Sequence, residues 1–440
     1  MFKAHAVKNK RWLSIVSCMV MLLAGLSACA QDQSTTGAPA FTNPKPIVIG
    51  FSMPLTKDFS SDGQLMLQGY QLWADTVNNN GGLLGRQVVL KYYDDKSDPP
   101  TDTKNYETLI KKDKVDLLFG PFSTLLTKAA ERASGIDAYP FVEGAGGAPS
   151  VFTNGWTNIF ATSVPVVNNL DTYAYYILSL PRSQRPKTVA YLSSDDPFTF
   201  PQIDRAQQLL SLGGIRTVFP TPANFSQYKQ MPQFQYGLQY EYGEGDNNAI
   251  AEATADAEKI VQAKPDVVVL GTLLPDVQAE IAVFKKEHFK PKSLIATAGP
   301  DLGNDFIKAI GGVQYTEGVF VPNGWYPQAN NFQNAEMVQA YIAKYGGTAN
   351  QVNADVAEAY SVGQVTQQAI EKVGSLDKAK LKAVLHSDVF NTVQGTAQFA
   401  ADGHNTQGLA YLFQWQAGQL IPVYPLSVAA ENPEYKVYNF

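Results

Sequence analysis

Ile47-Val48-Ile49-Gly50-Phe51-Ser52-Met53-Pro54-Leu55 and, further on, Arg86-Gln87-Val88-Val89-Leu90-Lys91-Tyr92-Tyr93-Asp94-Asp95 are two short runs rich in Val, Ile, Leu and aromatic residues. Such near-continuous apolar content predicts strands buried on both faces of a parallel sheet. Between them Met66, Tyr70, Trp73 and Val77 recur at helical spacing, so one helix face can cover that sheet. Gly81-Gly82 predicts the end of the helix, because glycine accepts the left-handed cap conformation without a Cβ clash. Strand, helix and strand in this order make a βαβ unit.

The unit recurs on both sides. VDLLFG from Val115 and YPFVEGA from Tyr139 extend the first array. After Thr162 a second begins, with KTVAYLSS from Lys187, IRTVFPTP from Ile215, DVVVLGT from Asp266 and PKSLIATAG from Pro291. Two successive arrays predict an α/β protein of two doubly wound, Rossmann-like lobes. Helical patterns dominate residues 332–386, and the apolar segments 392–399 and 409–424 predict a β-hairpin with Gly403 near its turn. Ligands of open α/β sheets bind at the carboxyl ends of the strands, so the expected site is the cleft between the lobes, in loops that follow strands.

The first residues carry Lys3, Lys8, Lys10 and Arg11, then an apolar run from Trp12 to Leu26, then Leu26-Ser27-Ala28-Cys29. This predicts a secretory signal peptide over residues 1–28, the apolar run being shorter than the roughly 20 residues that span a bilayer. The ending resembles a bacterial lipobox, which implies acylation of Cys29 and an extracytoplasmic protein anchored to the membrane by lipid. Residues 29–46, rich in Gln, Ser, Thr, Gly and Pro, read as a flexible tether. Removing residues 1–28 takes away those four positive side chains and no negative one, moving the formal net charge from −6 to −10. Nucleic acid is thereby excluded as a partner, since phosphate affinity needs clustered Lys and Arg. Cys18 would leave with the signal, so Cys29 has no disulfide partner. Enzymatic chemistry has little to work with: His5, His288, His386 and His404 stand in no HExxH pattern, and no G-x-S-x-G elbow occurs. No catalytic residue, metal site or cofactor is expected, although carboxylates acting as a hydrolase remain an open alternative.

Asn78-Asn79-Asn80-Gly81-Gly82-Leu83-Leu84-Gly85-Arg86 running into Tyr93-Asp94-Asp95-Lys96-Ser97-Asp98-Pro99, with Asp116-Leu117-Leu118-Phe119-Gly120-Pro121, Lys264-Pro265-Asp266 before Val267, and Gln398-Phe399-Ala400-Ala401-Asp402-Gly403, resembles the periplasmic binding proteins for branched-chain amino acids and amides that serve ABC importers. The resemblance implies the type I fold, whose chain crosses between lobes three times. Here the crossovers fall near Ser163, near residues 323–326 and near 389–392. Lobe 1 would then comprise 47–162 with 327–390, and lobe 2 would comprise 163–326 with 391–440. It also implies a small amino acid, amide or carboxylate as ligand, and permease and ATPase subunits as partners. A sensor or regulator lipoprotein of the same fold is the alternative.

Site residues follow from the same resemblance. Ser123 and Thr124 open a helix where the family holds a ligand carboxylate; a plain N-cap is the other reading. Ala145, Gly146 and Gly147 stand where relatives often have a ligand-contacting threonine, which leaves only backbone groups. Glu143 beside them is either a cation ligand or a solvated strand-end carboxylate. Asp301 matches the acid that pairs with a ligand ammonium, and reads equally as the N-cap of a helix over 302–310. Phe59 and Ser60 are the expected contacts from the loop 55–62, and Phe198 those from 195–200. Leu273 replaces a tyrosine common in amino-acid binders. Residues 224–248, dense in Gln and Tyr, read as a surface excursion or as a flap or docking surface.

Overall fold

The computed structural model describes residues 41–133, 136–194, 196–220, 247–434, 438 and 440. The expected signal peptide, Cys29 and most of the tether lie outside the described residues, as does nearly all of 224–248. The tether ends earlier than expected. Strand β1 (Asn43–Met53) already includes Asn43, whose N–H donates to the Gly85 carbonyl (3.0 Å), and the Arg86 guanidinium donates to the carbonyls of Lys45 (2.8 Å) and Pro46 (2.7 Å).

With β2 (Arg86–Asp94), β3 (Leu117–Phe119), β4 (Phe141–Glu143) and β5 (Ile159–Ala161), β1 forms a parallel sheet in the order β2-β1-β3-β4-β5. Central β1 is buried nearly throughout from Ile47. Edge strand β2 is not: only Val88 is buried, and Gln87 and Val89 face solvent. The expected burial on both faces fails there because an edge strand has one neighbour.

Strands β6 (Thr188–Ser193), β7 (Arg216–Phe219), β8 (Val267–Gly271), β9 (Ser293–Ala296) and β10 (Phe320–Asn323) build the second sheet. After them β11 (Val389–Thr392) and β12 (Gly395–Gln398) pair as a separate hairpin. β13 (Tyr411–Gln416) and β14 (Gln419–Tyr424) then join the second sheet antiparallel, giving β14-β13-β10-β9-β8-β6-β7. The single hairpin expected across Gly403 is therefore two hairpins. Gly403, at φ +98°, instead makes a tight turn against β5, where an added Cβ would lie 1.8 Å from the Ile159 carbonyl oxygen.

One core joins Ile49, Phe51, Tyr70, Trp73 and Phe119 with the helices Asn334–Tyr345 and Ala354–Val373, and it includes Phe390, Val393, Ala397 and Phe399. Since β11 and β12 belong to this core, the third passage between lobes lies between Phe399 and Tyr411, later than the expected 389–392. Gln364 fixes the hairpin there, its Oε1 accepting from the Val393 N–H at 2.8 Å. Helix Ser60–Asn79 buries Met66, Tyr70, Trp73 and Val77 and ends just before Gly81 and Gly82, both at positive φ. It crosses helix Ala354–Val373 at Gly69, where a Cβ would meet the Val356 carbonyl oxygen at 2.4 Å. That close crossing brings the N-terminal ends of two 20-residue helices together at the mouth of the first lobe.

Candidate functional site

A cleft opens where the carboxyl ends of both sheets face one another. Lobe 1 supplies Phe59, Phe122 and Ser123; the second sheet supplies Phe198, Leu273 and Thr297; the first two passages between lobes supply Ser163, Val164 and Asn323. Two hydrogen bonds span the mouth: Ser61 Oγ donates to Asp305 Oδ2 (2.8 Å), and Asn353 Nδ2 to the Asp301 carbonyl (3.0 Å).

Of the expected contacts, Phe59, Ser123, Ala145, Gly147, Phe198, Leu273 and Asp301 line this cleft. Ser60, Thr124 and Gly146 fall outside the lining. Ser60 begins its helix one residue past Phe59, Thr124 is fully buried with its hydroxyl 3.5 Å from the Ala145 carbonyl, and Gly146 turns its N–H onto Glu143. Ser123 occupies the N-cap position without a side-chain cap bond, so its hydroxyl, buried and unpartnered, is not consumed by the helix. Asp301 is not an N-cap either. It sits in a one-turn 3₁₀ segment, Pro300–Leu302, while Gly303 precedes the helix Asn304–Ala309. Glu143 is no solvated strand end: it is fully buried, its Oε2 accepts from the N–H groups of Ala145 (2.8 Å) and Gly146, and burial pushes its carboxyl up to about 8.

The dominant feature of the cleft is its charge. Asp62, Asp196, Asp301, Asp355 and Glu358 line it, and no lysine, arginine or histidine does among the described residues. Asp62 lies in the first turn of helix Ser60–Asn79, and Asp355 in the first turn of helix Ala354–Val373, whose N-cap Asn353 accepts from the Asp355 N–H at 2.7 Å. Helix dipoles favour carboxylates at these ends, by about 0.3–1 kcal/mol each. Glu358 is one turn further in, beyond most of that benefit. Burial first, then the neighbouring acids Asp301 and Asp305, push Asp62 up to about 8. Burial pushes Asp301 up to about 6. Burial and then Asp62, Glu358 and Asp301 drive Asp355 well above the usual carboxylate range, and burial and then Glu143, Asp301 and Asp62 do the same to Glu358. Asp355 is 7 % exposed with Oδ2 lacking any hydrogen-bond partner, and Asp301 Oδ1 and Ser163 Oγ are unpartnered as well. The arrangement can accept hydrogen bonds and positive charge. Among the described residues, no three His, Cys, Asp or Glu side chains converge as metal ligands.

Sequence reasoning missed Asp62, Asp196, Asp355 and Glu358 as lining groups. Asp62 and Asp196 lie in the stretches 55–62 and 195–200 already expected to wall the cleft, but attention there went to the aromatic residues, and Asp62 falls in the first turn of a helix. Asp355 and Glu358 follow no strand directly; their helix, Ala354–Val373, is held at the cleft by its crossing with helix Ser60–Asn79 at Gly69.

The periplasmic binding protein family model matches residues 46–233 and 239–419. Leu/Ile/Val-binding protein BraC3 of Rhizobium johnstonii is 23% identical over 381 residues, covering 85% of this chain and 93% of the relative. Leu/Ile/Val-binding protein homolog 8 of Brucella melitensis is 23% identical over 445 residues, covering 94% and 98%. Among solved structures, the leucine-binding protein LivK of Thermotoga maritima superposes with a TM-score of 0.69 at 18% identity, covering 86% of this chain and 97% of that one. A solute-binding protein of R. palustris in complex with benzoate gives 0.67 at 16% identity, covering 90% and 100%. These structures share the fold. With both lobes matched by the family model and the cleft between them in place, the chain belongs to the periplasmic binding protein family.

Proposed function

We propose that this protein is the extracytoplasmic receptor of an ABC importer, taking one small solute into the cleft and presenting it to permease and ATPase subunits. The observation that carries the reading is the composition of the cleft wall, with side chains from both lobes and from two inter-lobe passages on one cavity. A ligand touching both lobes favours the closed arrangement by its differential contacts. Phe59, Ser123, Ala145, Gly147, Phe198, Leu273 and Asp301 are its contacts on this reading, and Cys29 carries the lipid that keeps the receptor at the membrane. Relatives named for binding Leu, Ile and Val, and the absence of HExxH and G-x-S-x-G patterns, support a binder over an enzyme.

Native mass spectrometry of the purified full-length protein tests this. One small molecule per chain is expected, together with a rise in melting temperature when that molecule is added back. Chemical conversion of the retained molecule would contradict it. A diacylglycerol-sized mass increment on a peptide that begins at Cys29 is expected from membranes, and an unmodified Cys29 would refute the anchor.

A further inference from the structure

Resting on the reading of the cleft as a solute site, we infer that its solute is a small organic dication, a linear diamine or polyamine, rather than a zwitterionic amino acid or an anion. Five carboxylates from four segments line one cavity, and no cationic side chain lines it among the described residues. An anion would find carboxyl groups and no cationic side chain to answer it. A zwitterion brings a carboxylate that no cationic side chain of the lining answers.

Asp355 gives the independent sign that a donor belongs here. It is 7 % exposed, it lines the cavity, and its Oδ2 has no partner. A buried acceptor left without a donor destabilises the protein until something supplies one. An ammonium carries three N–H donors and full positive charge, so it can satisfy Asp355 Oδ2 together with Asp301 Oδ1. The helix-dipole explanation covers Asp62 and Asp355 only, because Asp301 lies in a 3₁₀ turn and Glu358 a turn deeper.

Two of the acids, Asp355 and Glu358, stand three residues apart on helix Ala354–Val373. Three residues of α-helix advance about 4.5 Å along the axis, so two anionic centres are offset by about one helical turn. Two ammonium groups answer more of the five carboxyl groups than one does. Phe59, Phe122 and Phe198, with Leu273 and Val164, give the same cavity apolar walls, which suit a methylene spacer, and ring faces also attract cations. Two charged ends and an apolar middle are the chemistry of a short diamine. A lone metal ion is disfavoured by the failure of these carboxylates to converge as a ligand set.

The test is calorimetric titration of the purified full-length protein at pH 8 with putrescine, cadaverine and spermidine, and in parallel with leucine, lysine, benzoate and calcium ion. At least one of the three amines should bind one per chain, more tightly than any of the other four. Asp355→Asn and Asp301→Asn should each weaken it at least tenfold without lowering the melting temperature. Leucine or benzoate binding where no amine does would overturn the dication and leave the receptor reading standing. Calcium binding that excludes the amines would overturn it in favour of a metal site. Amine binding undiminished in both variants would place the amine elsewhere and overturn it too. Absence of any binding also overturns it, while a small molecule retained in native mass spectra would still uphold the receptor.

Discussion

The loop after β2 and the cleft are both dense in carboxylates, and they treat them in opposite ways. In the loop every acid has its donors. Asp94 accepts from the N–H groups of Leu55 (3.0 Å) and Lys96 (2.8 Å) and from Thr56 Oγ1 (2.8 Å). Burial pulls its carboxyl upward, but the hydrogen bonds of Thr56, Lys96 and Leu55 outweigh it and hold the group below its ordinary range. Asp98 accepts from the Thr101 N–H at 2.9 Å and caps helix Pro99–Thr108. Buried Asp95 accepts from the Ser97 N–H (2.9 Å) and Ser52 Oγ (3.1 Å). In the cleft, Asp355 and Asp301 each keep an oxygen with no donor, and their neighbours are other acids. The fold supplies these three carboxylates of the loop with donors, whereas Asp355 and Asp301 are each left an oxygen short, and a ligand can bring what they lack.

The largest effect that sharpens this contrast is expected from Asp94→Ala, which strands three donors at once. Denaturant unfolding should show a loss of about 2–3 kcal/mol. A loss under 0.5 kcal/mol would break the claim that this loop is structural. Asp98→Ala removes one cap and should lose about 1 kcal/mol, with Asp98→Asn recovering most of it. Asp355→Asn has the opposite sign: it removes a buried carboxyl that resists ionisation, so at pH 8 the melting temperature of the ligand-free protein should rise by about 1–2 °C, and a fall would mean that the carboxyl has a structural partner.

The smallest effect is the pH dependence. Asp62 and Asp301 titrate at about 8 and about 6 in the folded protein, above the ordinary value near 4 of the unfolded chain. Over that interval the folded state binds more protons, so their contribution is complete below pH 4 and is lost as pH rises through 6 and then 8. Asp94 runs the other way, its contribution being lost as pH falls. The difference in stability between the wild-type protein and Asp62→Asn/Asp301→Asn should therefore shift in favour of the variant between pH 5 and pH 8. A difference independent of pH would contradict the burial of these two carboxyl groups.

The fold was legible where local pattern and burial agree. The spacing of Met66, Tyr70, Trp73 and Val77 marks a helix face that is buried in full, and the apolar runs at Ile47 and Asp266 mark central strands. Short β5 and β10, three and four residues long, were not read as strands, although β3 and β4, no longer than they are, were. The position of the third passage escaped because Phe390 and Phe399 state that they are buried but not in which lobe. In the site, residues in loops after strands could be found from topology alone. Asp355 and Glu358 could not, because they reach the cleft through the crossing at Gly69, a contact between segments almost 300 residues apart.

Calorimetric titration of the full-length protein with putrescine at pH 7, in two buffers of different ionisation enthalpy, tests the central claim most directly. Binding at one site per chain with release of protons to the buffer is predicted, because carboxylates held protonated by burial and by one another must ionise as the dication enters. Leucine binding with no proton exchange, and no response to putrescine, would contradict it.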